Sequence, residues 1–455
     1  YKIYSRSVKN RVELYNERNL TLKAEEQAIS SQYDRIVGSI TVEYEGEEFT
    51  FNQMAKQLET DNREKREEIW KLIVETQLKY KNDLSAIFDR LFSLRNVIAK
   101  NSGFKNYRDY IFKAKERFEY TPEDCFMFHE AVGKIVVPIL KEIQTKHKNQ
   151  LNLDDYKPWD LSGIPEGEKP LRPFKDSDEL IDKSIIIFNK IKAGLGNYLK
   201  LMKENSLFDL NSRKGKAPGG YNYSLHVTNM PFIFMNATGM QNDLHTLMHE
   251  AGHAIHTFQT ASEKLDAYKS SPSETAELAS MSMELITMDY WDIFYSDKND
   301  LKTAKRKQLE GSIVILPWVM AVDAFQHWIY TNLEHKSSER DEKFVELFEK
   351  FYTGIINWSG YEKFRVLRWV YQLHITTSPF YYIEYAIAQL GALQIWRNYK
   401  NYPDKAINDY LYALSLGSSV PISEVYKRAG IKFDFSEQTI SELMTFVKTE
   451  LDKLY

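Results

Sequence analysis

The spacing of apolar and polar positions along the chain is overwhelmingly that of helix. Residues 52–100 are rich in Glu, Lys, Leu and Ile with few Gly or Pro, which predicts long amphipathic helices. Asn101-Ser102-Gly103 and Thr121-Pro122-Glu123-Asp124 read as a helix stop and a helix start. Helix is expected to resume near Ser177 and run to about Glu204. Three stretches depart from this pattern. Residues 40–51, with the alternation Thr41-Val42-Glu43-Tyr44, predict a hairpin or an extended loop. Residues 151–174 contain Pro158, Pro165, Pro170 and Pro173 and are the best candidate for a connection between lobes. Between Asn211 and Gly239, the segment holding Gly215, Gly219, Gly220 and Tyr221 predicts a flexible loop. The apolar run Pro231 to Asn236 that follows predicts a short strand, either buried in the core or offering an edge to an extended peptide.

That strand leads into residues 246–258, TLMHEAGHAIHTF. Leu244, Leu247, Met248, Ala251, Ile255 and Phe258 recur at helical spacing, so one face of this helix should be buried. His249 and His253 stand on the other face, one turn apart, where two imidazoles can reach one metal ion. Zinc in a hydrolytic site takes three protein ligands and a water whose pKa it lowers from 15.7 to about 7. Glu250, next to the first histidine, is placed to take that water's proton. His245 and His256 share the histidine face; either could be a ligand, but each is expected rather to support the ligands or to be buried. A third ligand is expected from residues 273–288, a strongly apolar helix carrying Glu274, Glu277 and Glu284. Glu277 and Glu284 lie two turns apart on one face, and a carboxylate among so many apolar side chains needs a metal or a histidine N–H as partner. Glu277 is read as the ligand, Glu284 as the carboxylate that orients a ligand histidine, and Glu274 as the one that suits a solvated position.

Composition narrows the setting. At 455 residues the chain exceeds what one core normally serves, so two lobes are expected within one catalytic unit: 1–150, then a connection over 151–175, then 176–455. Sixty basic against 64 acidic residues, a net charge of −4, imply neither a nucleic-acid nor a membrane partner. The single cysteine, Cys125, excludes an intrachain disulfide and suits a reducing, cytoplasmic compartment. No signal-peptide pattern opens the chain, and apolar runs such as Ile313 to Val322 fall short of the ~20 residues of a membrane helix. The first residue is Tyr1 and not Met, as in a fragment or a processed form. Trp318, Trp328, Trp358 and Trp369 read most simply as core.

Taken together, the HEAGH motif with Glu277 placed 24 residues after His253, the Gly219-Gly220-Tyr221 loop, the aromatic block from His374 to Tyr385, Leu416-Gly417-Ser418-Ser419 and Ala429-Gly430-Ile431 resemble the oligoendopeptidase F and thimet oligopeptidase family of zinc peptidases. The resemblance runs through most of the chain, although relatives usually carry more helical sequence ahead of Tyr1. It implies a mainly α fold, two helical lobes around a deep substrate channel, with zinc on the channel floor and a small β-sheet next to the HExxH helix. It also implies short unfolded peptides as substrates, cut at internal bonds. By the same resemblance Tyr382 and Tyr385, with His374, steady the oxyanion of the tetrahedral intermediate. Gly219, Gly220, Tyr221, Phe234 and Tyr381 are expected to contact substrate. Thr376, Thr377 and Ser378 stand where relatives carry glycines or aromatics. Two other readings carry distinct requirements. A zinc carboxypeptidase needs a basic residue in the cleft to hold the substrate's C-terminus, for which Arg365 and Arg368 are candidates. A non-enzymatic peptide-binding protein would bind zinc without needing Glu250.

Overall fold

Helices start and stop where the sequence supplies caps. Helix α1, Arg63–Asn101, begins on Asn62, whose side chain accepts from the Lys65 amide, and ends before Gly103, which takes the left-handed φ of +83°. Helix α2, Pro122–Gln150, opens with proline in its first turn and a reciprocal Thr121/Asp124 capping box. The chain is a computed structural model that describes residues 1–225 and 227–455. Residues 40–51 form the expected hairpin, Val42–Tyr44 against Glu47–Phe49, turned by Glu45 and Gly46, both with positive φ. The proline-rich stretch after α2 is irregular apart from one short 3-10 turn, Pro158–Ser162. The single helix expected from Ser177 to Glu204 is two helices, Ser177–Ile191 and Gly196–Glu204, because Gly194 turns the chain with φ +89°.

A three-stranded sheet follows: β1, Phe208–Asn211; β2, Tyr221–Leu225; and β3, Met230–Ala237. Its order is β1-β3-β2, with β3 parallel to β1 and antiparallel to β2. The apolar run read as a strand is therefore the central one. Both outer strands, β1 and β2, are edges, and β2 lies inside the segment expected to be a flexible loop. That segment is held by Lys216, whose Nζ donates to the backbone oxygens of Asp209 and Asn211, each at 3.0 Å. The sheet lies against α3, Gln241–Thr260, which contains the HEAGH motif.

Helix α3 packs on α4, Ser273–Ile286, and α4 in turn packs on α6, Tyr382–Asn401; the long helix α5, Lys298–Thr331, lies between α2 and α6. Leu244, Leu247, Met248, Ala251 and Ile255 are fully buried, as the apolar stripe requires, while Phe258 is half-buried and stacks on Tyr198 at 4.4 Å. Because α4 is covered on several sides, Glu274 is not solvated as its position suggested: it is 2% exposed and accepts from the Tyr120 hydroxyl at 2.6 Å. Helix α5 contains the one window among the described residues apolar and long enough to cross a membrane, and 72% of that window is buried inside the fold. One continuous core runs from Leu14 to Leu451 and includes residues on both sides of the proline-rich stretch.

Gly252, inside the motif, sets the distance between α3 and α4. A Cβ there would sit 2.5 Å from Ser280 Cα and 2.7 Å from the Ala279 oxygen, both backbone atoms that cannot step aside. Gly252→Ala should therefore destabilise by about 1–3 kcal/mol from overpacking, against a helix-propensity gain of at most about 1 kcal/mol. Gly311, in α5, has nothing within 4 Å of the place a methyl group would take, so Gly311→Ala should stabilise by about 0.4–1 kcal/mol. Thermal unfolding of the two variants checks both signs; an unchanged midpoint for Gly252→Ala would refute the close approach.

Candidate active site

Three side chains from two helices meet over the Gly252 contact. His249 Nε2 is 3.2 Å from His253 Nε2 and 3.2 Å from Glu277 Oε2, and His253 Nε2 is 3.6 Å from that same oxygen. Ligands of tetrahedral zinc at 2.0–2.1 Å stand about 3.4 Å from one another, so this spacing fits the ion. Charge leads to the same conclusion. His249 Nδ1 faces Glu284 Oε1 at 2.6 Å, so it serves as the donor there and leaves Nε2 bare toward the other two. Burial opposes a charge on the His249 ring, but Glu277 and Glu284 outweigh it and raise its pKa well above the ordinary value. Burial pushes His253 down to about 4, which keeps it a neutral donor atom. Glu277 is held down to about 2 because the histidines beside it overcome its burial.

Further side chains fix these three. Glu277 Oε1 accepts from the Tyr381 hydroxyl at 2.5 Å and Oε2 from Ser280 at 3.2 Å. Glu284 Oε2 lies 2.7 Å from His245 Nε2 and 3.4 Å from Gln308 Nε2. His256 is buried and pairs with Ser271 at 3.0 Å.

Glu250 is 4% exposed, and its Oε2 has no hydrogen-bond partner among the described residues. Burial raises its pKa to about 7. The other carboxylate oxygen faces Gly220, where an added Cβ would come within 3.4 Å of Oε1. Glu250 lines a cleft of about 490 Å³ walled on one side by β2 and on the other by His374, Tyr381 and Tyr385. Gly220 and Tyr221 line it, and Tyr221 stacks on Phe234 at 4.7 Å, so Phe234 braces the wall from behind. Gly219, just before them, has φ +86° and so allows the turn into β2.

His374 is oriented by a relay that the sequence did not suggest. Trp318 Nε1 donates to Gln372 Oε1 at 3.1 Å, which fixes the amide. Gln372 Nε2 then donates to His374 Nδ1 at 3.0 Å, so the ring proton sits on Nε2, 3.4 Å from the Tyr385 hydroxyl. Burial lowers the His374 pKa to about 4, so the ring is a neutral donor. Trp318, expected only to fill the core, is the start of this relay; nothing in the local pattern marks Gln372. Tyr382, expected beside Tyr385 at the oxyanion, instead lines the neighbouring cavity of about 480 Å³ and packs on the back of the His374 ring at 5.1 Å. The first turn of α6 carries the two tyrosines three residues apart, and their rings meet edge to face. Gln372→Leu should therefore lower kcat by about tenfold or more with little change in metal content, and Gln372→Glu should shift the pH profile by charging the ring. Steady-state kinetics against pH test this; unchanged profiles in both variants would remove the relay from the site.

Arg365 pairs with Glu349, and Arg368 packs over Trp318 at 4.5 Å; neither lines the cleft.

The sequence profile of peptidase family M3 matches residues 56–175 and 195–445. Oligopeptidase PepF of Bacillus subtilis (strain 168) is 23% identical over all of this chain and 69% of its own length. An oligoendopeptidase F homolog of Borreliella burgdorferi is 24% identical over 83% of this chain and 63% of its own. The chain thus spans about two thirds of the length of these curated relatives. Among solved structures, one titled PZ peptidase A with inhibitor 2 superposes with a TM-score of 0.95 at 27% identity, covering 99% of this chain and 80% of that one. A putative oligoendopeptidase F from Bacillus anthracis str. Ames gives 0.89 at 25% identity, over 99% and 78%. With most of the chain matched by the family profile and nearly all of it superposed on these peptidase structures, the chain belongs to peptidase family M3.

Proposed function

We propose that this chain is a zinc-dependent oligoendopeptidase that cuts internal bonds of short unfolded peptides. The observation that carries the reading is the meeting of His249, His253 and Glu277 at tetrahedral ligand spacing, with the unpartnered Glu250 carboxylate beside them. His249, His253 and Glu277 would hold one zinc ion, which when bound supplies a Lewis acid and a water acidified to a pKa of about 7. Glu250, whose own pKa is raised to about 7, accepts the proton of the attacking water and passes it to the leaving amine. Tyr385 Oη and the His374 Nε2 proton are the donors nearest the cleft for the oxygen of the scissile carbonyl. Tyr381 steadies Glu277, and Tyr382 steadies the His374 ring. An extended peptide pairs with the free edge of β2, whose neighbouring Gly219 and Gly220 let its backbone come close to Glu250. A reducing, cytoplasmic setting belongs to the same proposal and rests on the single cysteine.

Cleavage of a quenched fluorescent peptide, with fragments read by mass spectrometry, tests this. Internal cuts that stop on chelation and return with added zinc are expected. Release of single C-terminal residues would move the assignment to a carboxypeptidase, and no cleavage by folded, zinc-loaded protein would favour a peptide-binding role.

A further inference from the structure

A second cluster of metal-binding side chains is buried where α2 crosses α5. Cys125 and His129 stand one turn apart on α2, and Asp323 and His327 one turn apart on α5, so each helix presents two donors to the other. All four are buried: Cys125 is 1% exposed and Asp323 is 0%. Donor atoms of Cys125, Asp323 and His327 lie within 4.8 Å of one another. His129 Nε2 is 2.8 Å from Asp323 Oδ2 and orients that carboxylate.

What sets the cluster apart from an ordinary buried ion pair is what it leaves undone. Among the described residues Asp323 Oδ1 has no partner, and neither nitrogen of His327 makes a hydrogen bond, although its Nε2 lies 3.2 Å from Asp323 Oδ2. Three unpaired polar atoms in one buried place are costly. The surroundings offer them no water-like partner: the rings of Phe112, Phe126 and Phe380 pack on His327, at 4.8 Å for Phe126. A thiol, an imidazole and a carboxylate are each ligand types that zinc accepts.

We propose that Cys125, Asp323 and His327 bind a second, structural divalent ion of the zinc class, with His129 positioning Asp323. Binding displaces the Cys125 thiol proton to solvent and leaves a thiolate on the ion. The ion pins α2 to α5 and supports the turn before the active site. In that turn Phe380 has φ +61°, donates its amide to Gln326 Oε1 of α5 at 2.6 Å, and directly precedes Tyr381. This assignment does not rest on the peptidase reading.

Because Cys125 is the chain's single cysteine, one measurement isolates it. The full chain is produced in zinc-poor, cobalt-supplemented medium, its total metal per chain is determined, and its near-ultraviolet spectrum is searched for thiolate-to-cobalt charge transfer. Expected are two ions per chain with the charge-transfer band, and one ion without it in Cys125→Ser. One ion with the band would keep this site and remove the ion from the catalytic histidines. One ion without the band, or two without it, overturns the proposal. The spectrum of the unsubstituted protein decides the question even if Cys125→Ser fails to fold.

Discussion

Glu250→Gln is expected to lower kcat by about 10²–10⁴-fold while leaving zinc content, fold and KM near their original values. The amide keeps the shape of the carboxylate but cannot take a proton. Glu250 is not among the three converging ligand atoms, and its Oε2 makes no hydrogen bond that the substitution would break. The size of the effect follows from the site: burial has already raised the carboxyl to about 7, so little driving force is lost in either proton transfer near neutral pH. Single-turnover rates with metal content measured on the same samples make the test. A variant that retains more than a tenth of the rate would place the proton transfer on another group. A variant that loses its zinc would make Glu250 a structural carboxylate instead.

The second large effect separates the two carboxylates of α4. Glu277→Ala should abolish stable zinc binding, and activity with it, because it removes one of three ligands and leaves the Tyr381 hydroxyl and Ser280 without their acceptor. Glu284→Gln should only weaken zinc binding, by about 10–100-fold, since Glu284 acts through the His249 Nδ1 proton and the His245 ring. Competition against a chelator ranks the two variants. Equal losses would mean that both carboxylates reach the metal, and a greater loss in Glu284→Gln would exchange their roles.

Much of this site is legible in the chain because helix geometry is periodic. Residues four apart share a face whatever surrounds the helix, so His249 with His253, and the buried stripe from Leu244 to Ile255, follow from spacing. Glu277 and Glu284 of α4 are legible for a different reason: a carboxylate in an apolar helix has to find a partner, and the number of available partners is small. The resemblance to known peptidases points to the aromatic block, yet it does not separate its tyrosines. Only the first turn of α6 shows that Tyr385 faces the cleft, that Tyr381 reaches Glu277, and that Tyr382 lies behind His374.

Two of the expectations that the structure overturns fail on distant contacts and one on a local turn. Glu274 reads as solvated because its own helix cannot show that Tyr120 arrives from 154 positions away. Residues 211–229 read as a loop because glycine and proline signal breaks, whereas β2 forms by pairing with β3 and the segment before it is held by Lys216. The helix expected to Glu204 breaks because one glycine takes a left-handed conformation. By itself, then, the sequence determined the helical class and singled out the histidine pair and Glu250 of α3 and two carboxylates of α4 as candidates, since each depends on contacts within a few residues. Tertiary structure decided which edge strand lines the cleft, which tyrosine faces it, the Trp318–Gln372–His374 relay, and the Cys125 cluster. Those depend on side chains brought together from far apart in the chain, and no local spacing encodes their distance.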